Sequence, residues 1–391
     1  MLDRMAAGRI PAKHHIVARD EDGALLHEEA HTRNGFDGPY TLMYHRHEPH
    51  RHTAWRLSER YGWSRAERAP DETERPLLRR HFKSFELPQT DRAPIEARTP
   101  IVFNNDIVVT ILRPGASDPV YFANGDGDDL YFVQKGGGTL RSVLGDLEFT
   151  EKDYIYVPRA LKHRFVLPED TEQYWLHFEI RNELFVPKQW RTPVGQLRMD
   201  APYCHRDFTR PTFRGYLDEG LRTVVMKRED RFTEFDFAHT PLDVVGWDGA
   251  AYPFLFPILN FQPRAGLVHL PPDWHGTFAF KGGIVCSFVP RVVDFHEEAI
   301  PCPYPHEAVH CDEILFYSEG NFVSRRGISS GSVSFHPAGV MHGPHPGAYE
   351  ASIGHRRTDE LAVMMDTFAP LHVTRQAREL EDEDYHASWC P

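Results

Sequence analysis

Residues 304–345 read YPHEAVHCDEILFYSEGNFVSRRGISSGSVSFHPAGVMHGPH, and two spacings inside this stretch decide the fold. The first runs His306, Glu313, Gly320; the second runs Gly331, Pro337, Gly339, His342. Glu313 lies an odd number of positions after His306, which would set the two on opposite faces of one continuous strand. A turn must therefore intervene, and Pro305 with Glu307 to Asp312 reads as that turn. The apolar run Ile314 to Tyr317 reads as a strand, Ser332 to Phe335 alternates as another, and Pro337-Ala338-Gly339 bends the chain ahead of His342.

These spacings resemble the two signature motifs of the cupin barrel, H-x-H-x4-E-x6-G followed by G-x5-P-x-G-x2-H. His306 takes the place of the first histidine, Ala308 replaces the second, and the remainder fits through His342. The resemblance implies a metal held by His306, Glu313 and His342. Two imidazoles and one carboxylate on one face of an octahedral ion leave about three positions open, the arrangement of non-haem Fe(II) oxygenases.

Outward from the motif, 391 residues suffice for two domains or two copies of one module, and 41% hydrophobic with 26% charged residues is a globular composition. A net charge of -13 without a compensating basic block argues against a nucleic-acid partner. The opening MLDRMAAGRIPAKHH lacks a leader's apolar core, and no stretch is apolar for long enough to span a bilayer; the expectation is a cytoplasmic protein without a membrane partner. Five cysteines without a C-x-x-C pair argue against a disulfide framework and a structural zinc site. Cys302 and Cys311 flank the ligand turn, but thiolates select softer metals than a carboxylate site takes.

Taken in order, residues 1–52 read as irregular with short strands, ending in Tyr44-His45-Arg46-His47-Glu48-Pro49-His50-Arg51-His52. Arg46 and Arg51 would repel a cation from the four histidines, so a solvated loop or subunit contact is the reading there. Thr53 to Lys83, with Trp55, Leu57, Tyr61 and Trp63, reads as helical, with a second short helix from Pro76 to His81. Strand signals begin at Ile101-Val102-Phe103 and Ile107 to Leu112 and continue to about Phe185. An internal repeat lies here: Asp129 precedes Gly136 as Glu313 precedes Gly320, and Pro158, Ala160, His163 repeat Pro337, Gly339, His342. Phe122 holds the place of His306, so this first copy is expected to be a structural barrel without metal. The expected fold is mainly β: two cupin-type (double-stranded β-helix) barrels, the N-terminal one degenerate, with a few short helices. The expected divisions are 1–98, 99–255 and 256–391.

The stretch Phe235 to Gly249, containing Asp243-Val244-Val245-Gly246-Trp247, reads as a buried junction between modules. With Tyr44-His45-Arg46-His47 after Gly38-Pro39, and His336 to Pro346 followed by Thr358-Asp359-Glu360-Leu361, it resembles homogentisate dioxygenase over nearly the whole chain. That resemblance implies His306, Glu313 and His342 as ligands of Fe(II), His336 as a neighbour touching substrate, and Tyr304 close by. His275 falls where the family carries its general base, a role that suits an imidazole near neutral pH; His269 competes for it. Phe322 is a candidate aromatic wall, His310 a rival ligand, and His345 a surface or substrate-facing group. The implied reaction is ring cleavage of a small aromatic acid by O2, homogentisate to maleylacetoacetate, in a homo-oligomer (trimer or hexamer). Arg325, Arg326, Arg356 and Arg357 are candidates for the acid's carboxylate. Gentisate is the alternative substrate, and the alternatives of other classes are a non-catalytic bicupin and a zinc or manganese isomerase.

Overall fold

The computed structural model describes residues 3–62, 69–265, 272–322 and 326–390. Two barrels lie back to back. In the first, the strands Ile107–Leu112, Asp128–Lys135, Asp153–Val157 and Tyr174–Ile180 form one sheet, while Tyr121–Asn124, Gly138–Ser142, Gly145–Phe149 and His163–Val166 form the facing one. In the second, Gly283–Phe288, Asp312–Glu319, Ser332–His336 and Leu361–Thr367 build the large sheet. Its facing side is thin: Arg291–Val292 pairs with Arg357–Thr358, and His306 bridges His342.

The strand period explains how the barrels meet. Leu130 and Phe132 turn outward into a cluster that also holds Ile314, Phe316, Val363 and Met365 of the second barrel, while Tyr131 and Val133 turn into the first barrel's lumen. Both faces of these sheets are thus covered, and their strands are apolar on both sides. The Phe132 and Phe316 rings meet at 6.1 Å between centroids. Each barrel is also completed by distant chain: Arg80–Phe82 adds to Ser332–His336, Phe254–Pro257 adds to Asp153–Val157, and His372–Val373 adds to Arg98–Phe103.

The internal repeat holds down to register. His163 pairs with Phe122 in the first barrel as His342 pairs with His306 in the second. Asp129 pairs with Val157 and Glu179, and Glu313 with His336 and Asp366. Gly136 and Gly320 end equivalent strands at φ of +96° and +97°, in the region that favours glycine. Ala160 stands at +62° where Gly339 stands at +76°, so the first copy keeps the bend without the glycine.

Two readings of the chain are corrected. Thr53 to Lys83 contains no helix among its described residues: Ala54–Leu57 is a strand on the edge of Arg231–Asp236, and the proposed helix at Pro76 to His81 is extended into the strand Arg80–Phe82. Trp55 and Leu57 are two apart, which is strand spacing, and edge pairing prevails over helix propensity. Trp63 lies outside the described residues. No helix among the described residues is long and apolar enough to cross a membrane.

Where the second barrel gathers metal donors, the first holds fixed cations. The buried Lys227 ammonium lies 2.6 Å from Glu179 and 2.9 Å from Asp126. The Arg98 guanidinium donates to Tyr131 and lies over the Phe122 ring. Burial by itself would raise Glu179; Lys227 and Arg181 hold its pKa instead at about 2, below the ordinary 4.5. A carboxylate with a depressed folded pKa contributes stability that is complete above 4.5 and is lost as pH falls toward 2. Replacing Lys227 by Ala leaves Glu179 to Arg181 at 3.4 Å and Asp126 to Arg228 at 3.4 Å, and is expected to cost about 3–5 kcal/mol in denaturant unfolding. The variant should also show a shallower acid-side decline between those two pH values, because Glu179 has lost the larger of the charges that hold its pKa down.

Candidate metal centre

The turn between His306 and Glu313 exists for the reason its spacing requires. His306 leaves the thin side of the barrel, the chain crosses through Val309 and His310, and Glu313 enters the strand Asp312–Glu319 on the opposite wall. The backbone amides of His306 and His342 each donate to the other's carbonyl at 2.8 Å, which fixes the two imidazoles side by side. Their ring centroids are 4.4 Å apart. One donor atom from each of His306, Glu313 and His342 lies within 4.8 Å of the others.

Tautomers follow from the partners. His306 Nδ1 lies 3.1 Å from the Tyr304 carbonyl and His342 Nδ1 lies 2.9 Å from the Val340 carbonyl. A carbonyl only accepts, so Nδ1 carries the proton in each ring and Nε2 keeps the lone pair. His342 Nε2 is buried without a hydrogen bond, 3.6 Å from Glu313 Oε1. An acceptor left so in a buried site beside a carboxylate fits a metal ligand, and the two-nitrogen, one-oxygen set fits iron.

His336 completes the arrangement from the next strand. It is fully buried, stacks on His342 at 4.5 Å, and its Nδ1 donates to Glu313 Oε1 at 2.5 Å. Burial would push Glu313 upward, but the hydrogen bond from His336, with the neighbouring His342, holds its pKa well below the usual carboxylate range. Asp366, opposite Glu313 on the far side, is driven well above that range by burial and then by the Glu313 charge. Two adjacent carboxyl groups are therefore pushed in opposite directions, Glu313 toward the ionised form and Asp366 toward the protonated one.

The structure sets the remaining expected residues in different places. Tyr304 is exposed beside His306, with ring centroids 6.3 Å apart, at the solvent side of the donors. His275 is buried, with its ring 4.7 Å from Phe288. Phe288 pairs with Ala362, four residues along from Asp366, the partner of Glu313; at strand rise that is about 13 Å. The strand position against which His275 packs is thus several residues along from Asp366. His269 and Arg325 lie outside the described residues. His310 is exposed on the turn and does not join the donor group. Burial and then the charges of Asp366, Asp312 and Glu313 raise the Cys311 pKa, which keeps it a thiol. His345 is a correction: it is buried, stacked on Trp389 at 3.7 Å and bonded to Ser388, tying down the C-terminal segment.

Two residues escaped the reading of the chain. Asp366 announces itself only as an acid inside the apolar run Leu361–Thr367. Arg291 lines a cleft of about 280 Å³ together with Arg357, Phe322 and Cys302. Its guanidinium is mostly buried, and burial lowers its pKa despite Glu360 at 3.6 Å. None of the three metal donors lines that cleft. Of the other arginines, Arg326 donates to the Pro346 carbonyl and Arg356 to the His296 carbonyl.

Residues 103–258 match the model of the family described as the N-terminal part of homogentisate 1,2-dioxygenase. A protein of Saccharolobus solfataricus, provisionally named a dioxygenase, is 34% identical over 388 residues, covering 98% of this chain and 97% of that one. Homogentisate 1,2-dioxygenases of Rhizobium rhizogenes and Rhizobium etli are 25% and 26% identical over 308 residues, 74% of this chain and 64% of theirs. Among solved structures, a cupin 2 conserved barrel domain protein from Leptotrichia buccalis aligns with 77% of this chain and 100% of its own, at 7% identity and a TM-score of 0.38. The chain belongs to the family of the Saccharolobus protein, a dioxygenase-like family related to the homogentisate dioxygenases.

Proposed function

We propose that the chain is an Fe(II)-dependent dioxygenase that opens the ring of a hydroquinone acid, with homogentisate the first candidate substrate and maleylacetoacetate its product. The observation that supports this best is the donor set itself: two imidazoles with Nδ1 tied to backbone carbonyls and an ionised Glu313, all within reach of one ion. Iron held by these residues would supply the open coordination through which an aromatic acid and O2 react. The protein's part is to keep both Nε2 lone pairs available, to hold Glu313 in place through the His336 N–H, and to admit substrate past Tyr304 and His306 on the exposed side. The family resemblance supports the substrate and a cytoplasmic homo-oligomer of three or six chains.

The test is to load the protein with Fe(II) without oxygen, add homogentisate, admit air, and follow oxygen uptake with the ring-opened chromophore. One O2 consumed per ring opened is expected. Turnover of gentisate with silence on homogentisate would move the substrate. A second reading, a bicupin that binds without turnover, draws on the packing of His275 against Phe288. An iron-loaded protein silent with both acids would support it.

Three variants sharpen the assignment. His342→Ala should lose the iron held at this centre, measured by metal analysis of desalted protein. His336→Ala should keep the fold and weaken iron affinity about 10–100-fold, the usual effect of removing a group that orients a ligand. His275→Ala should keep the iron; a fall in kcat of about 10²-fold or more would give it the base role, and an unchanged kcat would remove that role.

A further inference from the structure

A second mixed group of donors stands far along the chain from the first. One ligand atom from each of His47, His239 and Asp243 lies within 4.8 Å of the others. The topology brings them together: His45 ends the strand Asp37–His45 and pairs with Val244, the residue after Asp243, at the start of Val244–Gly249. Two stretches singled out in the sequence, Tyr44 to His47 and His239 to Asp243, are therefore one place in the fold.

Asp243 is the fixed member of the group. Asp243 is 1% exposed. Its Oδ1 accepts from His45 Nδ1 at 2.7 Å, and its Oδ2 accepts the His47 backbone N–H at 2.8 Å. His47 Nδ1 donates to the same Oδ2 at 3.0 Å, a proton that an arriving divalent ion would displace. His239 Nδ1 donates to the Thr240 carbonyl at 3.0 Å, and its Nε2 is buried without a hydrogen-bond partner. The His239 ring lies parallel to that of His47 at 4.3 Å, so one ring must turn for both to face a common ion. His45 is the orienting neighbour: its other nitrogen lies 3.2 Å from Glu29, to which Lys162 is bound at 3.1 Å. Burial opposes the charge on His45, but bonds to Asp243 and Glu29 raise its pKa and keep it a donor.

The neighbouring arginines are engaged elsewhere. Arg46 lies over the Tyr216 ring at 4.8 Å, and Arg51 pairs with Glu48. Asp126, Glu179 and Asp230 also converge, but the Lys227 ammonium already sits among them. Lys162 borders the hollow lined by His239 and Asp243, and is bound to Glu29 instead.

We propose that His47, His239 and Asp243 hold a second divalent transition-metal ion, of the zinc class, that clamps the N-terminal sheet to the connector ahead of Val244–Gly249. Three protein ligands leave a fourth position for water or for a side chain of another copy. The site is independent of the dioxygenase reading, and the test separates them. Chelator-stripped protein is equilibrated with Zn(II), desalted and analysed for metal. The wild type should retain two equivalents, His239→Ala one, His342→Ala one, and the double variant none. Zinc should raise the melting temperature of His342→Ala and leave that of the double variant unmoved. If His239→Ala does not fold, His47→Ala, whose side chain is 43% exposed, reads the same site. A wild type holding a single equivalent that His342→Ala removes, or a His239→Ala protein still holding two, overturns the proposal.

Discussion

Two backbone hydrogen bonds between His306 and His342 decide what the second barrel can do. They join segments from opposite ends of the ligand stretch, and each histidine then turns its Nδ1 back to the carbonyl two residues earlier. The proton is parked on the same nitrogen in both rings, so both present the other nitrogen together. Remove the bridge and the imidazoles would still exist, but nothing would make their lone pairs point to one place. Glu313 reaches the same point from the facing sheet, braced by His336.

The first barrel shows the same backbone with the chemistry withdrawn. His163 bonds the Leu161 carbonyl two residues back, as His342 bonds that of Val340, yet its cross-strand partner is Phe122, which offers no donor. Asp129 survives where Glu313 stands, accepts from His177 and Asn124, and is pushed up to about 6 by burial. Arg98 and Lys227 bring permanent charge into this interior. A fixed ammonium needs no loading and cannot be lost to a chelator.

Most of this architecture could be read from the chain because cupin spacing is a backbone requirement. Glycines at positive φ and a bend before His342 leave marks in sequence, and so does the repeat. What escaped was of another kind. Glu179, Asp366 and Arg291 owe their character to neighbours brought in by strand register. His239 and His47 lie far apart in sequence, and the arginines beside His47 concealed the pairing until their side chains could be seen turned away. The helix expected over Thr53 to Lys83 failed because an open sheet edge at Arg231–Asp236 recruited Trp55 and Leu57.

The borrowed strands carry a consequence of their own. Arg80–Phe82, Phe254–Pro257 and His372–Val373 each leave one part of the chain to finish a sheet built by another. A fragment holding the second barrel alone would present the bare edge of Ser332–His336 to solvent, an invitation to pair with a second fragment. The interlock therefore couples the halves into a single cooperative transition, reached only after long loops have closed, and makes slow assembly the companion of a shared structure.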